Sequence, residues 1–314
     1  MRLGLLSTAN INRMVLAGAA ATDAVDVVAV ASRDAERAEA YAGEHGIERA
    51  HGSYEALLED SELDAVYVSL PNSLHVEWSI RALEAGKHVL CEKPLARRPA
   101  EVERAFDAAE RAGRVLAEAF MYRHHPQTAR VAELVRDGAI GRLAAIRAAF
   151  SFPLADATNV RMRPELDGGA LMDVGCYCVS GARLLAGEPE RVAGAQVLAS
   201  TGVDLTFAGV LGFAGGVVAT FHSSMALPSH QQLEALGTEG SLLVQAPWRV
   251  DFGGDVLLTR GGATERVAVD EADSYRLELE DFAAAAAGER QPLLGREDAL
   301  GQARTIEALY REAA

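Results

Sequence analysis

The chain has 314 residues, 49% of them hydrophobic and 24% charged, and a formal net charge of −15. This length allows two domains and a core that needs no disulfide or metal. The acidic balance argues against partners such as DNA or anionic lipid, because both need a basic surface. Three cysteines are too few for a disulfide framework, and no stretch approaches the roughly 18 apolar residues of a membrane span, so we expect a cytoplasmic protein.

Strands and helices alternate in the first part of the chain. Apolar runs lie at 2–7, 25–32, 64–70, 87–92 and 114–119. Helical patterns separate them, and glycines such as Gly46 and Gly86 mark the ends of two of these helices. This alternation predicts a doubly wound parallel sheet with right-handed crossovers, a Rossmann domain, over residues 1–121.

The pattern changes after residue 121. A helix at 127–137, a strand at 142–151 and a helix at 167–187 precede several strand-like runs with glycine turns. Two further helices, near 275–288 and 297–312, close the chain. We therefore predict an α/β protein whose second domain, residues 122–314, is an α+β domain with an open, mostly antiparallel sheet.

The turn after the first strand reads Ser7-Thr8-Ala9-Asn10-Ile11-Asn12. In dinucleotide-binding folds this turn is glycine-rich, so that the backbone can approach a pyrophosphate at the helix N-terminus. Here Ser7, Ala9 and Asn12 occupy the usual glycine positions, and the G-x-G-x-x-G pattern is absent. The residues are small, and Ser7 and Thr8 could donate to a phosphate, but an ordinary polar loop explains the turn about as well.

The end of the second strand indicates which dinucleotide would bind. An acid at this position binds the ribose 2′-hydroxyl of NAD. This chain instead has Ser32 and Arg33, with Arg37 one helical turn further on. Arginine and serine suit a 2′-phosphate, which favours NADP over NAD. The alternative is that Ser32 caps the next helix and Arg33 is a surface residue.

Lys93 stands out because the chain has only two lysines, Lys87 and Lys93, among many arginines. It follows the strand at 87–92, and in doubly wound sheets ligands bind beyond the carboxyl ends of the strands. Unlike arginine, lysine shifts its pKa readily when it is buried or placed near another charge. Lys93 is therefore a candidate for proton transfer or for tuning a neighbour; the alternative is a surface lysine.

Four segments carry a resemblance to a known family. They are LPNSLHVEWSIRALE from residue 70, AGKHVLCEKPLA (85–96), YRHHP (122–126) and GGALMDVGCYCV (168–179). Together they resemble the Gfo/Idh/MocA oxidoreductase family over the whole chain. Many members have a histidine at the position of Tyr177. The tyrosine resembles the branch that contains dimeric dihydrodiol dehydrogenases and NADP-dependent D-xylose dehydrogenases.

The resemblance implies that Lys93 and Tyr177 form the catalytic pair, with Asp173 orienting the substrate hydroxyl or the lysine. A hydroxyl must lose its proton as its carbon loses hydride, so an acid/base group is required. Tyr177 would serve, since a nearby Lys93 ammonium would lower the tyrosine pKa from its usual value of about 10. The rival assignment has Lys93 acting directly.

The resemblance also implies where cofactor and substrate bind. The expected cofactor contacts are Ser7, Thr8, Ala9, Asn10, Ile11, Ser32, Arg33, Arg37, Leu70, Pro71, Asn72, His75, Glu92 and Lys93. The expected substrate contacts are Arg123, Arg161, Asp173 and Tyr177. No metal is expected, because adjacent histidines such as His124 and His125 point apart on a helix and no carboxylate cluster has ligand spacing.

These features predict an NADP-dependent oxidoreductase that acts on a sugar or cyclic diol. An aldose such as D-xylose, oxidised at C1, is the first expectation, followed by a trans-dihydrodiol and by a keto-sugar reduced with NADPH. A non-catalytic NADP-dependent sensor is the alternative from another class, and a glycosidase that recycles its nicotinamide ranks lower. Long apolar strands in the second domain also predict a homodimer or homotetramer that buries the open face of the sheet.

Overall fold

A computed structural model describes residues 1–313 of the chain. The chain forms two compact units. The first comprises residues 1–124 and 273–300, and the second comprises residues 125–272 and the segment from Gly301 onward. The expected division into 1–121 and 122–314 therefore differs from the observed one, because Asp273–Leu300 belongs with the N-terminal unit.

The first unit contains a six-stranded parallel sheet. Its strands are β1 (Arg2–Leu5), β2 (Asp26–Ala31), β3 (Arg49–His51), β4 (Ala65–Val68), β5 (His88–Glu92) and β6 (Leu116–Ala119). The strand order is β3-β2-β1-β4-β5-β6, so the order reverses between β1 and β4. This doubly wound sheet confirms the predicted Rossmann arrangement, and its strands are apolar because both faces of the sheet are covered.

Five helices connect these strands. They are α1 (Asn12–Ala20), α2 (Ala35–His45), α3 (Tyr54–Leu58), α4 (His75–Glu84) and α5 (Pro99–Ala112). Local chemistry sets their ends: the Asp34 side chain accepts from the Arg37 N–H at the start of α2, and Gly46 ends α2 with a φ of 68°. Sequence analysis did not predict β3 and α3, which are too short to show a clear periodicity.

The second unit contains helices on one face of an eight-stranded sheet. Its elements include α6 (Pro126–Arg136), β7 (Leu143–Ser151), α7 (Cys176–Ala186), β8 (Pro189–Leu198), β9 (Asp204–Phe213), β10 (Val218–Ser224), β11 (His230–Gly237), β12 (Gly240–Val244), β13 (Val256–Arg260) and β14 (Ala263–Arg266). The strand order is β14-β13-β12-β11-β7-β10-β9-β8. Every pair is antiparallel except β7 with β10, which confirms the predicted, mostly antiparallel sheet.

The helix predicted at 167–187 begins later than expected. Asp167 and Gly169 have positive φ values of 52° and 125°, so this part of the chain is a turn and not a helix. A π-helical segment, Leu171–Gly175, follows the turn and leads directly into α7. Such π-helical segments often occur at functional sites.

Two helices close the chain, α8 (Ser274–Ala286) and α9 (Arg296–Glu312). Helix α8 packs against α1 closely enough that a Cβ on Gly18 would lie 2.8 Å from the Arg276 nitrogen. This packing explains why the segment after residue 272 returns to the first unit. Among residues 1–313, no helix is both long and apolar enough to cross a membrane.

Candidate active site

The turn after β1 is built around Ser7. This residue has a φ of 154°, a backbone conformation that is uncommon outside glycine, at the first position where related folds place glycine. Its hydroxyl donates to the Ser69 carbonyl at 2.9 Å and accepts from the Ala9 N–H at 3.1 Å, and its carbonyl accepts from the Asn12 amide at 2.7 Å. Ser7 therefore shapes the turn, and its hydroxyl proton is already used within the chain. Thr8, Asn10 and Ile11 remain at least partly exposed.

At the end of β2, Ser32 does not cap the next helix. Asp34 is the capping residue, since its carboxylate accepts from the Arg37 N–H at 3.1 Å. Ser32 is buried, its N–H donates to the His51 carbonyl, and its hydroxyl accepts from the Asp34 N–H at 3.3 Å. The capping alternative for Ser32 is thus wrong.

Arg33 and Arg37 form a positive surface beside this turn. Both side chains are exposed, and within residues 1–313 neither has a carboxylate oxygen within 4.0 Å. Tyr54, the first residue of α3, faces them: burial raises the pKa of its hydroxyl, while the charges of Arg33 and Arg37 oppose that rise. Two guanidinium groups without carboxylate partners, next to a hydroxyl, form a donor set that fits a phosphate.

His75 connects the turns that follow β4 and β5. Its Nε2 lies 2.8 Å from the Leu70 carbonyl oxygen and its Nδ1 lies 3.0 Å from that of Pro94, whose bond to Lys93 is cis. Burial lowers the pKa of His75, although both carbonyls oppose this shift. The ring is 1% exposed, so His75 holds the Lys93 turn in place and has almost no surface for the cofactor contact that the resemblance implied. Pro71 and Asn72, in the same turn, are half-buried.

Glu92 and Lys93 end β5 in the first unit. The Tyr67 hydroxyl donates to Oε1 of Glu92, and the Lys93 N–H donates to Oε2 at 3.2 Å. Burial, followed by the Glu92 charge, raises the pKa of Tyr67 well above its ordinary value. Tyr67 therefore stays a hydrogen-bond donor to Glu92, and the carboxylate before Lys93 has a fixed orientation.

Asp173 lies in the π-helical segment of the second unit. Its Oδ2 accepts from Arg161 Nε at 2.7 Å. The Arg161 main chain is also held, because its carbonyl accepts from the Gly169 N–H at 3.0 Å and the Asn159 side chain accepts from its N–H at 3.1 Å. The structure thus brings two predicted site residues, Arg161 and Asp173, into an ion pair.

Tyr177 lies at the start of α7 and is packed between aromatic rings. Its ring centroid is 5.4 Å from that of Phe150, in an edge-to-face arrangement, and 6.1 Å from that of Trp248. Gly181, one helical turn later, makes room for Trp248, since a Cβ there would lie 2.6 Å from the indole ring. These contacts fix the ring of Tyr177, which is buried.

The backbone before Asp173 is anchored by a buried aspartate on β9. Asp204 accepts from the Leu171 N–H at 2.6 Å through Oδ2 and from the Tyr310 hydroxyl at 2.8 Å through Oδ1. A Cβ on Gly169 would lie 2.0 Å from Oδ1. Asp204 thus satisfies an amide at the start of the helix that carries Asp173.

The predicted site residues divide between the two units. The first unit holds the turns after β1, β2, β4 and β5, which share the carboxyl edge of the parallel sheet, and the second unit holds Asp173 and Tyr177. The pairing of Lys93 with Tyr177 stays a prediction. Arg123, expected at the substrate rim, forms an ion pair in the first unit with Asp298, at 3.4 Å.

The adjacent histidines have separate structural roles. The His125 ring accepts from the Gln127 N–H at 3.0 Å and so caps α6, whereas His124 Nδ1 lies 4.0 Å from Asp281 Oδ2. Burial lowers the pKa of His124 to about 4. No group of three or more potential metal ligands occurs among the described residues.

Sequence reasoning missed Tyr54, Tyr67 and Asp204. Tyr67 lies in an apolar strand and reads as a core residue, and Asp204 opens a strand far from Asp173 in sequence. Tyr54 follows a turn, Gly52-Ser53, and the Ser53 hydroxyl caps α3 by accepting from the Ala56 N–H. A serine after a glycine is a typical helix start, so the sequence could have predicted a helix that begins at Tyr54.

Two family models match the chain. The model described as an oxidoreductase family with an NAD-binding Rossmann fold matches residues 1–120. The model of the GFO/IDH/MocA C-terminal domain matches residues 128–243. The two matches correspond to the parallel sheet of the first unit and to much of the antiparallel sheet of the second.

Relatives match over long stretches. A D-xylose 1-dehydrogenase (NADP(+)) of Haloferax volcanii is 43% identical, with 100% of this chain and 97% of the relative covered. A trans-1,2-dihydrobenzene-1,2-diol dehydrogenase of Xenopus laevis is 37% identical, with 78% and 74% covered. A crystal structure of a 3-ketoreductase from Actinomadura kijaniata, in complex with NADP and TDP-benzene, has a TM-score of 0.94 and 33% identity over 99% of this chain and 97% of the other.

The fold and the matched models define an oxidoreductase with a nicotinamide-dinucleotide-binding Rossmann domain. The chain belongs to the Gfo/Idh/MocA oxidoreductase family. These matches confirm the family that the Glu92-Lys93-Pro94 turn and the segment around Tyr177 indicated.

Proposed function

We propose that this protein is an NADP-dependent sugar dehydrogenase that oxidises an aldose at C1, with D-xylose as the first substrate to test. The observation that carries the proposal is the 43% identity to an NADP-dependent D-xylose 1-dehydrogenase along the whole chain. The Lys93, Asp173 and Tyr177 side chains that such a reaction requires are all present in this sequence.

In this proposal NADP, when bound, would supply the acceptor for the hydride that leaves the carbinol carbon of the sugar. Tyr177 removes the hydroxyl proton, and the Lys93 ammonium favours the phenolate form that accepts it. Asp173, held by Arg161, accepts a hydrogen bond from the sugar and so orients the reacting hydroxyl. Solved structures of the ketoreductase include variants at one lysine and at one tyrosine, the two residue types assigned here to the chemistry.

The preference for NADP over NAD is part of the proposal. Arg33 and Arg37 would bind the 2′-phosphate, with the Tyr54 hydroxyl beside Arg33. Ser32 would contribute through its position at the end of β2. NAD lacks this phosphate, so it would leave both guanidinium groups without their anion.

The test is turnover of the purified protein with a panel of aldoses, trans-dihydrodiols and inositols, each with NADP and with NAD. We expect reduced-nicotinamide absorbance to appear with NADP and D-xylose or a close aldose. Turnover confined to trans-dihydrodiols would replace the aldose proposal by the diol alternative. Tight NADP binding with no turnover in either direction would favour the non-catalytic sensor.

A ketoreductase is a second candidate, because the NADP-bound 3-ketoreductase matches the fold with a TM-score of 0.94. That protein was solved with TDP-benzene, and a relative from Actinomadura kijaniata, 33% identical over 98% of this chain, is named as a dTDP-3,4-didehydro-2,6-dideoxy-alpha-D-glucose 3-reductase. The same panel separates the two candidates when NADPH oxidation is followed with keto-sugars, free and nucleotide-linked.

Removing both arginines at the end of β2 should change the cofactor preference. For Arg33→Ala with Arg37→Ala we expect the KM for NADP to rise roughly 30-fold or more, because two hydrogen bonds to a charged phosphate are lost. The KM for NAD should change less than about threefold. Arg104→Ala, which removes an exposed arginine on α5, is the matched control. Equal losses with NADP and NAD would contradict the assignment.

We also propose a homodimer or homotetramer that buries the open face of the second sheet. Side chains on this face remain exposed although they are apolar: Val197 is 61% exposed, Val210 44% and Val218 41%. Sedimentation velocity at micromolar concentration should give a dimer or tetramer, and Val210→Lys should reduce it to a monomer. A monomeric wild type would contradict this proposal.

A further inference from the structure

A cluster of buried titratable groups lies beneath the Lys93 turn in the first unit. Tyr67 on β4 is fully buried and pairs in register with Leu90 on β5. Because side chains two residues apart share one face of a strand, Glu92 lies on the same face as Leu90. The Tyr67 hydroxyl therefore reaches along that face to Glu92 Oε1, near the carboxyl end of the sheet.

The Glu92 carboxylate has a donor on each oxygen. Tyr67 donates to Oε1, and the main-chain N–H of Lys93 donates to Oε2 at 3.2 Å. Fixing a long glutamate side chain in one orientation costs conformational entropy. The Tyr67 ring is fully buried, so its hydroxyl is a rigid donor. This donor holds the Glu92 carboxylate next to Lys93.

Helix α8 contributes a second carboxyl group to this cluster. Glu278 is 2% exposed, and its Oε1 has no hydrogen-bond partner among residues 1–313. Burial, then the charges of Glu92 and Asp281, raise the pKa of Glu278 well above its ordinary value. Two carboxylates that are close together in a buried site do not both ionise easily, which favours the protonated form of Glu278 beside Glu92.

Several elements place titratable groups around Glu92 and Lys93. These groups are Tyr67 on β4, His75 on α4, Cys91 on β5, Glu118 on β6, and Tyr275, Glu278 and Asp281 on α8. Burial raises the pKa of Cys91 and of Tyr67, so these two stay uncharged near neutral pH. Burial lowers the pKa of His75, and the two carbonyl oxygens at its ring nitrogens oppose this shift. The orientation of the Glu92 carboxylate therefore contributes to the negative charge that Lys93 experiences.

We propose that Tyr67 is a positioning residue for the reaction: it fixes the Glu92 carboxylate and, through it, the Lys93 ammonium. This inference rests on the proposed role of Lys93 in proton chemistry. Tyr67 touches neither substrate nor cofactor in this role. It sets the charge and position of the lysine that does.

The first measurement is the pH profile of kcat for Tyr67→Phe, a substitution that removes only the hydroxyl. Losing a donor raises the pKa of Glu92, so the acid limb of the profile should move up by about half a pH unit or more. We expect kcat near neutral pH to fall about tenfold, the size of effect that a hydrogen bond to a charged group can have. The KM for NADP should change less than about twofold. Tyr41→Phe, on α2 in the same unit, is the control and should leave all three values unchanged.

The second measurement does not depend on activity. Because the chain has only two lysines, methylation with ¹³C-formaldehyde labels only Lys87, Lys93 and the N-terminus. Titration of the ¹³C-methyl signals then reports the pKa of Lys93, with Lys87→Arg used to assign the signals. In Tyr67→Phe the Lys93 pKa should fall by about half a unit or more, because the Glu92 carboxylate is no longer held in place by Tyr67 and stabilises the ammonium less. The Lys87 signal should not move.

The two measurements distinguish the possible failures. If the wild type turns over no substrate, the proposed function fails, and the Lys93 titration still decides the role of Tyr67. If Tyr67→Phe lowers the melting temperature but leaves both the pH profile and the Lys93 pKa unchanged, Tyr67 is only a structural residue and the inference is overturned.

Discussion

Lys93→Met is expected to lower kcat by roughly a thousandfold, because it removes the ammonium that supports proton transfer. The methionine side chain keeps a similar shape, so the fold and the binding of NADP should persist, with an affinity within about threefold of wild type by fluorescence titration of NADPH. The turn itself is held independently of the ammonium, since the His75 ring bridges the carbonyls of Leu70 and Pro94.

Lys93→Arg separates the two assignments of the acid/base. If Tyr177 transfers the proton and Lys93 only lowers its pKa, an arginine keeps the positive charge and should retain part of the activity. If Lys93 transfers the proton itself, arginine should be as inactive as methionine, because its guanidinium does not lose a proton in proteins. Tyr177→Phe should then be inactive in the first case and partly active in the second. Unchanged kcat in Lys93→Met would contradict both.

Gly169→Ala is expected to cause the largest loss of stability among single substitutions near Asp173. A Cβ at this position would lie 2.0 Å from Asp204 Oδ1, and Gly169 has a φ of 125°, a backbone conformation that residues other than glycine rarely adopt. We expect a cost of about 3 kcal/mol or more, and a fall in the melting temperature on the order of 6–12 °C. The catalytic rate should fall as well, because Asp204 would release the Leu171 N–H at the start of the segment that carries Asp173.

Gly202→Ala is the matched control for this prediction. Gly202 has a φ of 93°, but a Cβ there would meet no atom within 4 Å. The substitution therefore carries only the backbone strain, about 1 kcal/mol, and should leave kcat unchanged. Differential scanning calorimetry and steady-state kinetics on both variants test the comparison. Equal melting temperatures in the two variants would show that the clash with Asp204 adds nothing to the loss of stability in Gly169→Ala.

Local signals in the sequence were sufficient for much of the fold. The helix at Pro99–Ala112 and the end of α2 at Gly46 follow from caps and periodicity that lie within a few residues. The Glu92-Lys93-Pro94 turn was also predicted, because the position of a turn after an apolar strand is a local property. These are the features that short-range chemistry controls.

Contacts between distant residues could not be predicted in the same way. Asp204 meets Leu171 across 33 residues of sequence, and Tyr67 meets Glu92 across 25. The late start of α7 depends on the first of these contacts. Asp204 approaches Gly169 so closely that only a glycine fits there, and the positive φ of Gly169 interrupts what would otherwise be a continuous helix. An apolar strand pattern likewise reveals that Tyr67 is buried, but not where its hydroxyl points.

The return of Asp273–Leu300 to the first unit has a consequence for biosynthesis. Helix α8, which packs on α1, is translated about 150 residues after the last strand of the parallel sheet. At about 5–20 residues per second, the ribosome needs roughly 8–30 s to cover this distance. During that time the face of α1 that contacts α8 has no partner from its own unit. The nascent N-terminal unit is therefore complete only after residues 273–300 have been made, and a gene fragment that stops after residue 124 encodes an unfinished Rossmann fold.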